Sequence, residues 1–230
     1  METKINKSKA RGRTKIEWLD SKHGFSFGQY YNPENTNFKS LIVFNDDIVS
    51  QGRGFSTHFH ENAEIITIVL EGSLKHEDSL GNKRIINKGE IQIISAGSGI
   101  YHSEYNNSKR DEVHFLQIWI QPETLNLKPN YQQFTPLIRI NRLNKIISSD
   151  QTEDVLQINQ DADLFLGKIS KRETVNHTLK KNKDIYLFII KGSISMNQTT
   201  LSQGDSAEIT STRMISLNGI KESLVLLIEL

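Results

Sequence analysis

The sequence predicts an all-β protein made of two similar β-barrels joined head to tail in one chain. Short alternating or β-branched runs are separated by glycine, asparagine and aspartate, as in a sandwich or barrel. One pattern of residues occurs twice along the chain. Helical periodicity is sparse, and only Pro122–Lys128 and Leu137–Ile147 are expected to form short helices.

The predicted strands are runs rich in isoleucine, valine, leucine and aromatic residues, each followed by turn-forming residues. Asp78–Asn82 contains Leu80-Gly81-Asn82 and predicts a hairpin turn between two of these strands. The clearest runs are Ser40–Phe44, Ile65–Leu70, Ile91–Ile94, His114–Ile120, Ile185–Ile190 and Leu224–Ile228.

The repeated pattern is a strand that ends in Gly-Ser, followed by a Gly-acid turn that opens another strand. The first copy has glycines at Gly72 and Gly89, seventeen residues apart, and the second has Gly192 and Gly204, twelve residues apart. The repeat predicts an N-terminal domain of residues 1–130 and a C-terminal domain of residues 131–230. The join is expected within Gln121–Gln133, which contains two prolines and two asparagines.

Composition excludes several classes of protein and site. The 230 residues carry a net charge of +1 and include no cysteine, which removes disulfides, thiolate metal sites and cysteine nucleophiles. The N-terminus lacks a signal-peptide pattern and the apolar runs are too short to span a bilayer. We therefore expect a cytoplasmic protein that binds neither membrane nor nucleic acid. The basic first thirteen residues are interpreted as a solvated arm or an edge strand, with a nucleic-acid-binding arm as the alternative.

Two pairs of side chains predict a metal site in the N-terminal half. His58 and His60 are two residues apart, so on a strand both imidazoles point to one face. His102 and Glu104 have the same spacing and add an imidazole and a carboxylate. If the two strands face each other, these groups converge on one cation. Three nitrogens and one oxygen leave open positions on an octahedral borderline metal.

Other residues compete for a role at this site. Glu64 lies four residues after His60 and is an alternative fourth ligand or a partner that orients an imidazole. His76 and His114 are weaker candidates, and His114 is interpreted as structural. Gln117 is interpreted either as a pocket-lining residue or as an ordinary polar residue of a strand. The remaining two histidines, His23 and His177, are interpreted as surface residues.

The second copy of the repeat lacks the ligands. Alignment of its Gly-Ser turn on the first copy places Thr178 and Lys180 at the positions of His58 and His60. Leu217 falls at the position of His102. This asymmetry favours a metal site in the first half, and it predicts a C-terminal barrel without metal ligands.

These residues resemble the two-part cupin signature, and more closely the pirin family of bicupins. The signature appears as Gly52-x5-His58-x-His60-x3-Glu64, followed by Gly89 and by His102-x3-Asn106. The resemblance covers residues 11–135 most clearly and extends to the second half through the repeat. The pirin-like segments are Trp18–Phe27, Thr57–Glu64, Val69–Gly72, Ser95–Gly99, His102–Asn106 and His114–Ile120. The chain departs from the general signature at Ser95, where cupins often have proline. The gap from Glu64 to Gly72 is also slightly longer than in that signature.

The resemblance implies two jelly-roll barrels, of which the first holds one divalent metal ion. Carried over, the ligands are His58, His60, His102 and Glu104, whereas the general cupin pattern would use Glu64. Iron(II) is the expected ion; manganese, nickel, cobalt or copper would fit the same ligands. Zinc would fill the site without supporting oxygen chemistry.

The resemblance also implies a function, because the family includes quercetin 2,3-dioxygenases. The expected substrates are a flavonol-like small molecule and O2, with Glu104 as catalytic base as well as ligand. One alternative is a redox-sensitive regulator without enzymatic activity that binds a protein partner. Another is a metal-bound scaffold with incidental activity. An apolar pocket opening onto the metal would favour the enzyme.

Overall fold

The computed structural model describes residues 1–150 and 154–230, which form 22 β-strands and one short 3-10 helix, Ser8–Ala10. Within these residues the structure contains no α-helix, and no helix is long and apolar enough to span a membrane. The all-β prediction is confirmed. The first twelve strands are β1 (Glu2–Asn6), β2 (Gly12–Lys15), β3 (Leu19–His23), β4 (Leu41–Val49), β5 (Gly54–His60), β6 (Glu64–Glu71), β7 (Ser73–Asp78), β8 (Lys83–Asn87), β9 (Ile91–Ser95), β10 (Ile100–Asn106), β11 (Val113–Ile120) and β12 (Asn130–Phe134). The others are β13 (Arg142–Ser148), β14 (Leu156–Gln157), β15 (Asp163–Ile169), β16 (Thr174–Thr178), β17 (Ile185–Lys191), β18 (Ser193–Met196), β19 (Thr199–Ser202), β20 (Ser206–Thr210), β21 (Met214–Gly219) and β22 (Ser223–Glu229).

The chain divides into two compact units. The N-terminal unit contains Gly12–Pro136 and Leu156–Gln160, and the C-terminal unit contains Met1–Arg11, Leu137–Val155 and Asp161–Leu230. These ranges differ from the domains 1–130 and 131–230 expected from the sequence. Met1–Arg11 belongs to the C-terminal unit, and Leu156–Gln160 belongs to the N-terminal unit. As independently folding domains, the ranges 1–130 and 131–230 stay a prediction.

The N-terminal unit has two antiparallel sheets with its core between them. One sheet has the order β12-β9-β6-β11-β4-β3-β2, and the other has the order β5-β10-β7-β8. Strand β6 is central in its sheet and is buried along most of its length, which explains its continuous apolar run. Strand β10 instead alternates, with His102, Glu104 and Asn106 buried and with Tyr101 and Tyr105 exposed. The two predicted ligands of β10, His102 and Glu104, therefore lie on its inner face.

The C-terminal unit repeats this plan with an apolar interior. One sheet contains the order β1-β20-β17-β22-β15-β13, and the other has the order β16-β21-β18-β19. A single cluster of buried aliphatic and aromatic residues fills the space between these sheets, with Val175, Leu187, Ala207, Leu217 and Leu227 among its members. This unit is therefore stabilised by a conventional hydrophobic core.

The Gly-Ser and Gly-acid turns of the repeat adopt the same geometry in both units. Gly72 and Gly192 have φ values of 76° and 84°, and Gly89 and Gly204 have φ values of 84° and 81°. Glycine is favoured because this left-handed region is costly for other residues. The amide of Gly89 donates to the Val69 carbonyl at 2.8 Å, as the amide of Gly204 does to that of Ile189. The predicted repeat is confirmed, as is the hairpin turn at Asp78–Asn82, where the Asp78 amide donates to the Asn82 carbonyl.

The basic N-terminal segment is an edge strand, one of the two forms expected for it. Strand β1 pairs antiparallel with β20 of the C-terminal unit. Its charges are also paired, since Lys7 Nζ lies 2.9 Å from Asp205 and Lys4 Nζ lies 3.5 Å from Glu208. The sequence could not show that the segment joins the distant unit, because edge pairing is determined by register rather than by chain order.

Both predicted short helices are wrong. Pro122–Lys128 has no regular structure, and Asn126 has a φ of 58°, which interrupts helical geometry. Leu137–Ile147 is a loop followed by the first part of β13, with Asn141 at a φ of 58°. The expected join also extends into a strand, because β12 pairs with β9 and completes the sheet of the N-terminal unit.

Candidate metal centre

The two predicted pairs of ligands lie on adjacent antiparallel strands. His58 and His60 are on β5, and His102 on β10 is directly opposite His58. Phe59 and Tyr101 form the intervening cross-strand pair on the exposed face, where they are 47% and 54% exposed. The i, i+2 spacing therefore brings the histidines to the inner face, as predicted from strand geometry.

The three histidines form a compact cluster. One nitrogen from each ring lies within 4.8 Å of a nitrogen from each of the others, a spacing that fits coordination of one ion. The ring centroids of His58 and His60 are 4.7 Å apart, and those of His58 and His102 are 4.5 Å apart. His102 is buried, whereas His58 and His60 are partly exposed.

Glu104 is held beside this cluster by amide donors. Gln92 Nε2 donates to Oε1 at 2.6 Å, and Gln117 Nε2 donates to Oε2 at 2.7 Å. Thr67 makes a longer hydrogen bond to Oε1, at 3.3 Å. The pairing of β10 with β5 changes register between His102 and Glu104. The two backbones approach closely at Gly54, where a Cβ atom would lie 2.2 Å from the Glu104 carbonyl oxygen. The carboxylate therefore has a fixed orientation in a buried position.

His76 is a cluster member that the sequence ranked too low. It is fully buried on β7, opposite Glu104 on β10. Its ring centroid lies 5.5 Å from that of His102. His76, His102 and Glu104 form a second group whose ligand atoms lie within 4.8 Å of one another. The signal available in the sequence was the even spacing of His76 and Asp78 on one predicted strand.

The ring nitrogens fit a metal site better than a hydrogen-bonded core. His58 Nδ1 is 2.8 Å from the Ser56 carbonyl oxygen, which fixes Nδ1 as the donor and leaves Nε2 available as a ligand atom. Both ring nitrogens of the buried His102 lack a hydrogen-bond partner among the described residues, and so does Nε2 of His60. Buried polar atoms are rarely left unpaired, because each costs about 1–3 kcal/mol. A coordinated cation would satisfy His60 Nε2 and one nitrogen of His102, whose other nitrogen carries the ring hydrogen.

The electrostatics also suit cation binding. Burial, followed by the neighbouring imidazoles His102 and His58, lowers the pKa of His60 from 6.5 to about 4. Burial, with the proximity of His58 and His76, lowers the pKa of His102 from 6.5 to about 3. Both rings are therefore neutral at pH 7. A metal ion can bind them without first displacing a proton.

Apolar and aromatic residues surround the cluster. The Trp119 ring packs edge-on against His60 with a centroid distance of 4.7 Å, and the Tyr131 ring stacks on His76 at the same distance. Both aromatic residues pack against a buried group, which consists of Ala63, Ile65, Ile94, Ala96 and Ile100. Burial, and to a lesser extent the Glu104 carboxylate, raises the pKa of Tyr131, so its hydroxyl is neutral and donates to Gln133 Oε1.

A cavity of about 610 Å³ lies in the same unit, and Tyr131 is one of its lining residues. Its other lining residues are mainly polar and include Asn82, Arg84, Glu90 and Gln133. The aromatic ring of Tyr131 therefore contacts His76 and also lines a polar cavity.

Glu64 belongs to neither group of ligand atoms found among the described residues. It is 1% exposed and accepts hydrogen bonds from Ser95 Oγ at 2.9 Å and from Asn159 Nδ2 at 3.0 Å. Burial raises its pKa, although these hydrogen bonds act in the opposite direction. Its contacts tie the segment Leu156–Gln160 to the N-terminal unit, which is a structural role.

The remaining candidates have structural surroundings. His114 pairs with Asp46, with 2.6 Å between Nε2 and Oδ1. The interpretation of His23 and His177 as surface residues is wrong. His23 is 2% exposed and bonds Thr14 and Asn45, while the side chain of His177 is 14% exposed and bonds the buried Glu229. The sequence could not show this, since burial of both rings depends on partners that are distant in the chain.

The C-terminal unit replaces the polar interior of the site by apolar residues. In the N-terminal unit, Gln117 pairs with Thr67, which pairs in turn with Gln92. The corresponding row of the C-terminal unit contains only aliphatic residues: Leu227, Leu187 and Ala207. All three belong to its hydrophobic core.

The sequence alignment of the two copies is wrong by a few residues at β16. Val175, rather than Thr178, lies opposite Leu217, as His58 lies opposite His102. Thr178 lies opposite Met214, and Lys180 lies beyond the strand, where it pairs with Asp150 and Asp163. The chain from β16 to β17 is longer than the chain from β5 to β6, and a count back from the Gly-Ser turn could not detect this difference.

Two β-barrels in one chain define a bicupin, and the clusters of histidine and carboxylate ligands found among the described residues lie in the first barrel. Residues 4–120 match the Pirin family model, and residues 145–230 match the model of the quercetinase C-terminal cupin domain. The chain therefore belongs to the pirin family, and the resemblance seen in the sequence is confirmed.

Individual relatives cover nearly the whole chain. A quercetin 2,3-dioxygenase of Escherichia coli strain K12 is 38% identical over 226 residues, which are 98% of this chain and 97% of that protein. A pirin-like protein of Caulobacter vibrioides is 35% identical over 217 residues, which cover 92% of each chain. The crystal structure of the bacterial pirin YhhW from Escherichia coli in complex with nickel(II) gives a TM-score of 0.95 at 38% identity, covering 100% of this chain and 99% of that one.

Proposed function

We propose that the chain is a metal-dependent oxygenase of the quercetin 2,3-dioxygenase type, with one divalent ion held by His58, His60, His102 and Glu104. The observation that carries the proposal is the burial of His102 with both ring nitrogens unpaired among the described residues, between two further histidines and a carboxylate. Support comes from the relatives, of which one is a quercetin 2,3-dioxygenase and another, YhhW, binds nickel(II).

Iron(II) is the ion proposed for this chain. Three imidazoles and one carboxylate form a donor set of intermediate softness, which suits iron, and also manganese, cobalt, nickel and copper. When bound, such an ion supplies the Lewis acidity and redox capacity that reaction of O2 with a flavonol requires. Nickel(II) in the relative agrees with this donor set and leaves the ion of this chain to be measured.

The protein residues have three tasks in the proposed reaction. Glu104 takes the proton of the flavonol 3-hydroxyl group, with its orientation fixed by Gln92 and Gln117. Trp119 packs edge-on against His60, so it restrains that ligand and shields it from water together with the apolar residues around it. In the overall reaction the flavonol and one O2 give the ring-opened ester and one carbon monoxide.

The test is oxygen uptake with quercetin by the metal-loaded protein, normalised to bound metal. We expect flavonol-dependent uptake with release of one carbon monoxide per O2. Glu104→Gln should lower the rate by about 10²–10⁴-fold, the usual contribution of a general base. The matched control is Glu64→Gln, a buried carboxylate outside the cluster, which should keep the wild-type rate.

Bound metal without flavonol-dependent uptake would contradict the oxygenase. That result would favour the alternative of a redox-sensitive regulator that binds a protein partner. Equal losses of rate in both glutamate variants would contradict the specific role of Glu104.

A second prediction concerns the C-terminal unit, proposed to bind no metal. Thr178→Ala and Lys180→Ala should keep the wild-type metal content, measured by elemental analysis, because neither side chain lies in a cluster of ligands. Lys180→Ala should lower the melting temperature, since it removes contacts to Asp150 and Asp163. His58→Ala, prepared and desalted in parallel, should retain less metal than the wild type, because its ion is bound more weakly. Loss of metal in the Thr178 or Lys180 variant would contradict the assignment of this unit as metal-free.

A further inference from the structure

His76 is oriented like a metal ligand. Its Nε2 lies 2.9 Å from Asp78 Oδ2, and both side chains are fully buried. Asp78 is itself fixed by the amides of Leu80 and Asn82 and by the Asn82 side chain. A carboxylate that accepts one ring N–H leaves the other nitrogen with a lone pair, which is the usual arrangement behind a metal-binding histidine.

The other ring nitrogen of His76 has no hydrogen-bond partner in the part of the chain that the structure describes. The ring is held in place on one side by Tyr131, with planes inclined by 25°. A buried acceptor atom without a donor is costly, so the orientation requires a further partner.

The cluster contains candidate partners, but none of them donates a hydrogen bond to this atom in the described structure. Ligand atoms of His76, His102 and Glu104 lie within 4.8 Å of one another, and all three residues are buried. Neither nitrogen of His102 is paired in the described structure, and Glu104 already accepts hydrogen bonds from Gln92, Thr67 and Gln117. A lone-pair nitrogen of each neutral ring and the Glu104 carboxylate thus lie close together, and a cation would stabilise this arrangement.

We propose that His76, His102 and Glu104 form a second, inner position for a borderline divalent cation such as Co2+, Ni2+, Zn2+ or Fe2+. The outer position is the site proposed above, in which His58 and His60 bind the ion together with His102 and Glu104. The two positions share His102 and Glu104, so one ion at a time occupies the site. This inference deepens the proposed function, on whose metal site it rests.

Charge favours the inner position for a divalent ion. Glu104 is a proposed ligand at both positions, so the difference in charge comes from a second carboxylate near the inner position. The inner group includes the Glu104 carboxylate, and the Asp78 carboxylate lies directly behind His76. Two imidazoles and one carboxylate are also an established donor set for divalent ions with open coordination positions.

The experiment removes the outer position and asks whether an ion still binds. Co2+ is titrated into the wild type and into His58→Ala/His60→Ala, with binding followed by calorimetry and by the visible spectrum of the ion. We expect the double variant to bind one Co2+ per chain, more weakly than the wild type. Adding His76→Gln should then lower the affinity by at least about tenfold, the smallest usual effect of losing even an indirect metal contact.

The matched control is His114→Gln in the same double variant. His114 also pairs with an aspartate in the N-terminal unit, but lies outside the cluster, so its loss should leave Co2+ affinity unchanged. Circular dichroism checks the fold of every variant. If the alanine pair does not fold, His58→Gln/His60→Gln serves as the starting variant.

The outcomes separate the inner position from the proposed function. Binding by the wild type and none by a folded double variant would overturn the inner position alone. Residual binding that is insensitive to His76→Gln would also overturn it. No binding by the wild type would overturn both proposals.

Discussion

His102→Leu is expected to abolish metal binding while stabilising the metal-free protein. Even the loss of an outer-shell partner commonly costs about 10–100-fold in metal affinity, so loss of a central ligand should exceed 100-fold. In the metal-free state, the substitution removes a buried ring with two unpaired nitrogens. The free energy of unfolding should therefore rise by about 1–3 kcal/mol. The C-terminal unit shows that leucine fits such a position, because Leu217 is buried opposite Val175 there.

Two measurements check this prediction. Metal affinity is measured by titration, and the unfolding free energy of the metal-free proteins is measured by urea denaturation. His114→Leu is a control on a partly exposed histidine outside the cluster and should keep the metal affinity. Retained affinity in His102→Leu, or a metal-free protein less stable than the wild type, would contradict the role given to His102.

The metal-free protein is also expected to lose stability as the pH falls below about 6.5. Burial and neighbouring imidazoles hold the folded-state pKa of His60 at about 4 and that of His102 at about 3, against an ordinary value of 6.5. Between these values the unfolded chain binds protons that the folded chain does not. Each such proton lowers the free energy of unfolding by about 1.4 kcal/mol per pH unit. The decline should begin near pH 6.5 and continue to about pH 3–4.

Denaturation curves of the metal-free protein at a series of pH values provide the test. The double variant His60→Ala/His102→Leu should show a shallower decline over this range, because neither titrating ring is present. Equal slopes in the wild type and the double variant would show that the cluster does not control acid stability.

The parts of the site that depend on local spacing could be predicted from the sequence. His58 and His60 share a strand face because strand periodicity is two, and the structure confirms that they meet His102. The Gly-Ser and Gly-acid turns were recognisable for a similar reason, since left-handed turns favour glycine at fixed offsets.

The parts that depend on register could not be predicted. Thr67, Gln92 and Gln117 come from three strands, and only their alignment in one row shows that they surround Glu104. His76 looked ordinary because its partner Asp78 also belongs to a predicted hairpin turn. The position of β16 was predicted by counting back from the Gly-Ser turn after β17. That count was wrong because the loop between β16 and β17 is longer than the loop between β5 and β6.

The predicted helices failed for a different reason. Leu137–Ile147 contains enough apolar residues for a short helix, but Asn141 adopts a left-handed turn and Arg142 onward pairs with β15. Tertiary pairing thus overrode a weak local preference, as is common for short segments.

The most direct test of the metal centre is elemental analysis of the purified wild type, His58→Ala and Glu104→Ala after loading with iron(II) and desalting. We expect about one equivalent of metal in the wild type and a large loss in both variants, with the fold of each checked by circular dichroism. Wild-type protein that retains no metal after loading, or folded variants that retain a full equivalent, would contradict the proposed metal centre.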